Sequence, residues 1–339
     1  MTERILVTGV SGFLGGHVAL QLLIKGYDVR SSIRDLAGAD GVARALAAAG
    51  ADVSRLEFRA LDLLSDTGWA EAAEGCRCLL HIASPFVLTM PKEADDLIRP
   101  AVDGTRRALT AALNAGHKRI VLTSSLAAID GGHTDWTRPL GPSDWTDLDG
   151  PMVNAYTRSK TLAEREAWRL VEAWGRREKL AVINPGAILG PLLDNDPGTS
   201  GLVIQRLLKG AIPIAPDIRL PYVDVRDVAA AHIAAMERED AGGRRHLVAN
   251  PVWSLLDLAK TVGDAWPDRR NALPRRTVPN WMTRAVGMFD PSIRASLAYL
   301  GIDRRYDDES GVRLLGHSVR GSREAASAMA CSLIERGMA

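Results

Sequence analysis

The 339-residue sequence predicts an α/β fold, a doubly wound parallel sheet carrying a smaller C-terminal lobe. Three observations predict it. Short apolar runs of β type alternate with helical patterns through the first half of the chain. A glycine cluster separates the first such run from the first helical pattern. Beyond Gly186 the texture changes to Gly- and Pro-rich segments and short helices.

Residues 5–8 read as a short buried strand that runs into glycines. From Phe13 through Leu14, Val18, Leu22 and Leu23, apolar residues recur at helical spacing until Gly26 stops them. Residues 28–33 are a second strand, 41–49 an Ala-rich helix, and 56–60 a third strand ending before Asp62. A fourth strand spans 78–83 and closes at Ser84-Pro85; a long helix follows over 95–115, then a fifth strand over 119–124. Residues 130–149, with several Gly and Pro, break the rhythm and predict a loop. Helix returns over 152–174, a sixth strand occupies 180–184, and a regular helix is expected over 223–236. The expected organisation is a nucleotide-binding domain of residues 1–185 plus 221–249. A substrate-binding lobe of 186–220 plus 250–339 lies over the C-terminal strand edges, where open α/β sheets bind ligands.

Composition excludes several classes. Lys plus Arg (42) and Asp plus Glu (41) nearly cancel, so no field of one sign exists to draw nucleic acid or an anionic membrane. No basic segment followed by a long apolar run opens the chain, and no apolar stretch approaches the ~20 residues of a membrane span. The expected location is cytoplasmic. The odd count of three cysteines (Cys76, Cys78, Cys331) argues against a disulfide framework, and buried thiols are expected. The seven histidines form no H-x-x-x-H pair, so no metal is expected.

The glycine cluster, Thr8-Gly9-Val10-Ser11-Gly12-Phe13-Leu14-Gly15, has the spacing G-x-x-G-x-x-G between a strand and an amphipathic helix. This is the Rossmann-type context: glycines let the backbone approach a pyrophosphate, and the helix N-terminus offers free N–H donors to it. The cofactor then follows from the end of the second strand. An NAD site places an acidic residue there for the ribose. Here that place falls on Ile33, followed by Arg34, whose guanidinium suits a 2′-phosphate. NADP(H) is therefore expected in preference to NAD(H). A shift of one residue would make Asp35 the ribose ligand instead.

Tyr156 and Lys160 are four apart in a helical pattern and so share a face. A phenol ordinarily titrates near ~10. The expectation is that a desolvated Lys160 ammonium and the positive nicotinamide together lower it, which asks for about 4 kcal/mol of differential interaction to reach the neutral range. Tyr156 would then protonate a carbonyl oxygen as hydride arrives. Ser125, after the fifth strand, would donate a hydrogen bond to the same oxygen.

In this order and combination the sequence resembles the extended (atypical) short-chain dehydrogenases/reductases, and within them the dihydroflavonol-4-reductase-like, NADPH-dependent carbonyl reductases. The matching pieces run over nearly the whole chain. They are Val7-Thr8-Gly9 to Gly15, Val29-Arg30 to Arg34-Asp35, Leu61-Asp62-Leu63, His81-Ile82-Ala83-Ser84-Pro85, Leu122-Thr123-Ser124-Ser125, Tyr156 to Lys160 with Thr161-Leu162-Ala163-Glu164, Asn184-Pro185-Gly186, and Tyr222 to Ala229.

The resemblance implies catalytic roles for Ser125, Tyr156 and Lys160, with Ser124 as the alternative serine. It implies a cofactor site of Gly9, Ser11, Gly12, Phe13, Leu14, Gly15, Arg34, Asp62, Leu63, Ala83, Ser84, Pro185, Ile188 and Ser200, with Tyr156 and Lys160. A homodimer through the two long helices is also implied. Plant flavonoid reductases carry an Asn shortly after the catalytic serine, where this chain has Ala128-Ile129-Asp130. The substrate is therefore not implied to be a flavonoid.

Phe86, Asp130, Trp145, Leu192 and Tyr222 are expected in a substrate pocket, with aromatic lining for an apolar or aromatic carbonyl compound. The pairs Arg275-Arg276 and Arg304-Arg305 are expected on a solvated face. Reduction of an aldehyde or ketone to an alcohol is the first expected function. A nucleotide-sugar epimerase or dehydratase with retained NAD is the alternative, and an NADP-sensing regulator the third.

Overall fold

In β1 (Arg4–Thr8), Ile5 and Val7 pack into one hydrophobic cluster and Leu6 into another. Successive strand residues point to opposite faces, so a strand with three apolar residues in a row must be covered on both sides. The computed structural model describes residues 3–85, 93–289 and 291–339, and it shows that cover. From β1 the chain passes through α1 (Phe13–Ile24), β2 (Asp28–Ile33), α2 (Ala39–Ala48), β3 (Leu56–Ala60), α3 (Trp69–Ala73), β4 (Cys78–His81) and α4 (Asp95–Asn114). It continues through β5 (Arg119–Thr123), α5 (Ala155–Ala173) and β6 (Leu180–Pro185).

Beyond these come β7 (Ala187–Leu189), α6 (Gly198–Leu208), β8 (Ala215–Pro216), β9 (Arg219–Asp224), α7 (Val225–Glu237), β10 (Arg244–Val248) and β11 (Val252–Ser254). The chain ends through α8 (Leu255–Ala265), β12 (Thr277–Val278), α9 (Asn280–Gly287), α10 (Pro291–Ser296), α11 (Glu309–Leu315) and α12 (Ser322–Glu335). Seven strands form one parallel sheet in the order β10-β6-β5-β4-β1-β2-β3. The order reverses between β1 and β4, which opens a crevice at their C-terminal ends.

Leu14, Val18 and Leu22 of α1, Leu46 of α2 and Val228 of α7 cover one face of the sheet. Trp69 of α3, Leu109 of α4 and Trp168 of α5 cover the other. A third cluster joins β7, β9, α6, α8 and α12 around Leu189, Leu207, Leu258 and Met329.

Most sequence-predicted elements fall within a few residues of these bounds. Three parts of the C-terminal half differ. The helix expected over 223–236 starts at Val225, because Tyr222, Val223 and Asp224 complete β9, which pairs with β7 and β11 in a second small sheet. Gly186–Leu220, read from the sequence only as Gly- and Pro-rich, holds α6, whose Ile204, Leu207 and Leu208 bury one face. The seventh strand, β10, was not foreseen: its Arg-Arg-His opening reads as surface, yet Arg245 and His246 are buried. Cys76 and Cys78 are buried free thiols, whereas Cys331 is half-buried. Among the described residues no helix is long and apolar enough to cross a membrane.

Candidate active site

The turn after β1 folds tightly on itself. Gly9 has φ +77°, and a Cβ there would lie 2.9 Å from the Ala83 backbone; at Gly15 a Cβ would lie 2.0 Å from the Gly9 carbonyl oxygen. Glycine alone satisfies both. Gly12, the N-cap of α1, brings no capping side chain, and a Cβ on it would meet only Gly9 O, at 3.6 Å. The first turn of α1 therefore faces open space with uncommitted N–H donors, a suitable seat for a pyrophosphate. Ser11 is exposed, Phe13 half-buried, and Leu14 and Gly15 are buried beneath the turn. Gly198, at the start of α6, lies against Phe13, so Ser200 stands in a helix N-terminus beside the same turn.

Thr8 anchors the turn to the end of β4. Its hydroxyl accepts from Ile82 N (3.0 Å) and Ala83 N (3.1 Å) and lies 2.9 Å from His81 Nδ1. With both N–H groups pointing at Thr8 Oγ1, its own proton goes to an unprotonated Nδ1, so His81 is neutral. Burial pushes the His81 imidazole down to about 3.

At the end of β2, Ile33 is buried and Arg34 exposed. The Asp35 carboxylate accepts from Ala37 N at 2.9 Å and caps a short helical turn, so its side chain is turned to its own backbone. Asp62 likewise caps Leu64 N (2.9 Å) beyond β3, and Leu63 packs on α4 at Gly104. Pro185 ends β6 and Ile188 lies in β7, half-buried against the sheet core.

The structure brings Ser125, Tyr156 and Lys160 together. Asn154 caps α5 by accepting from Thr157 N at 2.9 Å, which presents Tyr156 in the first turn. Tyr156 Oη lies 3.5 Å from Ser125 Oγ, and Ser125 Oγ accepts from Ala127 N at 3.1 Å. Ser124 Oγ instead donates to Glu164 Oε2 at 2.5 Å. The two adjacent serines thus face different partners, and Ser125 is the one beside the phenol. Lys160 Nζ donates to Ser84 Oγ at 3.1 Å.

The expected acidification of Tyr156 counts on the nicotinamide's charge as well, and on balance the protein's own groups act in the other direction. Burial raises the phenol above its usual range; the Ser125 hydrogen bond acts to lower it, and the Asp130 charge adds to the rise. Burial instead pushes the Lys160 ammonium down to about 8, against the opposing pull of Glu164. The physical reason is desolvation: removing either group from water disfavours its charged form.

The predicted substrate-pocket residues fare differently. Phe86 lies outside the described residues. Asp130 is buried in an ion pair with Arg304 (2.6 Å) and accepts from Tyr306 Oη (2.6 Å). Arg304 is therefore not on the solvated face expected for it; it is 5% exposed and stacks on Trp136 and Tyr299. Trp145 lies between Arg245 (4.0 Å) and Arg165 (5.4 Å). It lines a cleft of about 640 Å³ beside β10 whose walls include none of Ser125, Tyr156 or Lys160. Leu192 and Tyr222 are core side chains of the third hydrophobic cluster, packed with α12. Their apolar character predicted burial but could not say against what.

A doubly wound sheet with a glycine turn at its switch point, and a Ser-Tyr-Lys group at the ends of neighbouring elements, defines a dinucleotide-binding protein of Rossmann type. Residues 5–249 match the model of the NAD dependent epimerase/dehydratase family. The chain belongs to that family, the extended short-chain dehydrogenases/reductases. It is 35% identical over 271 residues to cinnamoyl-CoA reductase 1 of Oryza sativa subsp. japonica, covering 78% of this chain and 76% of the rice protein. It is 31% identical over 312 residues to tetraketide alpha-pyrone reductase 1 of Arabidopsis thaliana, covering 90% and 93%. The crystal structure of Gre2 in complex with NADPH from Candida albicans superposes with a TM-score of 0.79 at 27% identity, over 98% of this chain and 99% of that one.

Proposed function

We propose that this protein is an NADP(H)-dependent carbonyl reductase that converts an aldehyde or ketone to an alcohol, acting on the CH–OH/C=O pair. The observation that carries the reading is the approach of Tyr156 Oη to Ser125 Oγ at 3.5 Å, one helical turn from the buried Lys160. The relatives named reductases and the NADPH held by the Candida Gre2 structure support the same reading.

In this reading, residues 1–185 plus 221–249 hold the cofactor, and 186–220 plus 250–339 contribute the substrate side. The N–H groups at Phe13 and Leu14 hold the pyrophosphate, while Gly12 N–H closes the turn on the Gly9 carbonyl at 3.1 Å. Arg34 pairs with the 2′-phosphate, and Asp35 is committed to its cap rather than to a ribose. Asp62 and Leu63 border the adenine; Ala83, Ser84, Pro185 and Ile188 border the nicotinamide; Ser200 reaches a phosphate. The bound cofactor supplies the hydride. Tyr156, protonated at neutral pH because burial raises it, gives its proton to the carbonyl oxygen. Ser125 donates a hydrogen bond to that oxygen. Lys160 holds the ribose and places a positive charge behind the phenol.

NADPH oxidation measured against aromatic and aliphatic aldehydes, ketones and diketones, with NADH in parallel, tests the proposal. NADPH-dependent turnover of some of them is expected. Tightly retained NAD in the purified protein with no turnover would instead favour an epimerase or dehydratase.

A further inference from the structure

Glu164 lies one turn beyond Lys160 on α5 and is 0% exposed. Four partners converge on its carboxylate. Ser124 Oγ donates at 2.5 Å, Asn184 Nδ2 at 2.9 Å and Trp168 Nε1 at 3.2 Å. Arg245 donates through Nε at 2.6 Å and Nη2 at 3.2 Å. Asn184 Nδ2 also reaches the Ser125 carbonyl at 3.2 Å. One buried carboxylate therefore ties the ends of β5 and β6 and the edge strand β10 to the helix that carries Tyr156 and Lys160.

Arg245 extends the tie outward. Its guanidinium donates to the carbonyls of Pro142, Asp144 and Ala128 and stacks on Trp145 at 4.0 Å. The loop between Ser125 and Tyr156 is thus fastened to Glu164 as well. Lys160 and Glu164 also line one small cavity of about 10 Å³, shared with Ser84, Thr105 and Ser124. That is the scale of a single water. A buried ion pair is a weak source of stability compared with apolar packing of equal volume. Stability alone does not explain its place here.

We propose that Glu164 and Arg245 are a positioning pair for the reaction: they hold the serine-bearing end of β5 and the Lys160 helix in one geometry, and Glu164 supplies the negative charge that the Lys160 ammonium faces. This inference rests on the reductase reading. Lys160 is faced by Ser84 and His81 from β4 and its end, and by Glu164 from its own helix. Glu164 is faced by Arg245 from β10, Ser124 from β5, Asn184 from β6 and Trp168 from α5.

The chain has seven lysines, so the side-chain nitrogen of Lys160 can be followed by nitrogen-15 NMR in the full protein and assigned with K160R. In E164Q the Lys160 titration midpoint should fall by about one pH unit, because a facing anion favours the ammonium. R245K, which keeps the charge but not the fork, should leave the midpoint within a few tenths of a pH unit and still lower kcat several-fold. The alkaline limb of kcat in E164Q should move with the midpoint, while NADPH affinity changes by less than about threefold. E164Q strands the Arg245 cation, so the doubly neutral E164Q/R245M variant, expected to fold more readily, carries the same test.

A folded E164Q with an unmoved midpoint, or a folded R245K with unchanged kcat, overturns the proposal. A wild type that reduces no carbonyl, with a midpoint that still falls in E164Q, sinks the reductase reading while supporting the charge relation.

Discussion

Lys160 Nζ donates to Ser84 Oγ at 3.1 Å, while Tyr156, one turn earlier on the same helix, reaches within 3.5 Å of Ser125 Oγ. The ammonium is thereby fastened to the segment that follows β4, next to the glycine turn. The phenol stands at the end of β5. Helix α5 bridges the two strand ends, and a ligand lying across them would touch both side chains. Five predictions follow from this geometry and its surroundings.

Replacing Tyr156 with Phe removes the proton donor and leaves the ring. Carbonyl reduction should fall by about 10²–10⁴-fold, the usual scale of a lost general acid. NADPH binding, followed by its fluorescence, should change little. Loss of binding with turnover preserved would falsify the assignment.

Lys160 carries its charge below about 8 and loses it above. Since its folded value is depressed and the charged form is the one used here, kcat/KM for reduction should decline as pH rises through about 8. A pH–rate profile over the alkaline range checks this. A rate that stays level well past that point counts against a role for the ammonium.

His81 and His232 are buried and neutral, pushed down to about 3 and about 4. Below the ordinary value of 6.5, the unfolded chain takes up protons that the folded protein refuses. Their stabilising contribution is thus present above 6.5 and is lost progressively as pH falls toward 4 and 3. Denaturant midpoints measured down the acid range should fall, and His232→Phe should flatten part of that slope. An unchanged slope in this variant would contradict the assignment.

Arg34 is exposed at the end of β2, where the 2′-phosphate is proposed to lie. Hydrogen bonds to charged groups contribute about 1.5–3 kcal/mol. Arg34→Ser should therefore weaken NADPH by roughly 10–100-fold and leave NADH nearly unchanged. Equal weakening of both cofactors would place the 2′-phosphate elsewhere.

Arg304 and Asp130 form a buried pair, 5% and 4% exposed at the side chain. Arg304→Met strands the carboxylate, and breaking such a pair from one side costs about 3–5 kcal/mol. Urea unfolding should show this loss, and adding Asp130→Leu should recover a good part of it. No recovery would mean that the Arg304 stacking on Trp136 and Tyr299, rather than the ion pair, carries the stability.

Local patterns in the sequence determined the parallel strands β1 to β6, the glycine turn and the shared face of Tyr156 and Lys160. Each depends on residues near one another in the chain: a period of two, a period of 3.6, or a glycine where the backbone must turn sharply. The choice between Ser124 and Ser125 could not be made that way, because adjacent residues differ only in which partner lies opposite them. Glu164, Asn184 and Arg245 come from three separate elements, and only their packing turns one serine toward Glu164 and leaves the other by Tyr156.

The same holds for Arg304, which reads as a surface cation until the chain returns it to Asp130, and for Trp145, which Arg245 holds beside β10. It holds too for the phenol's acidity. Helical spacing places an ammonium near Tyr156, but burial decides the titration, and burial belongs to the assembled structure. Periodicity is written along the chain, whereas desolvation and the pairing of buried charges arise only once distant segments exclude water together.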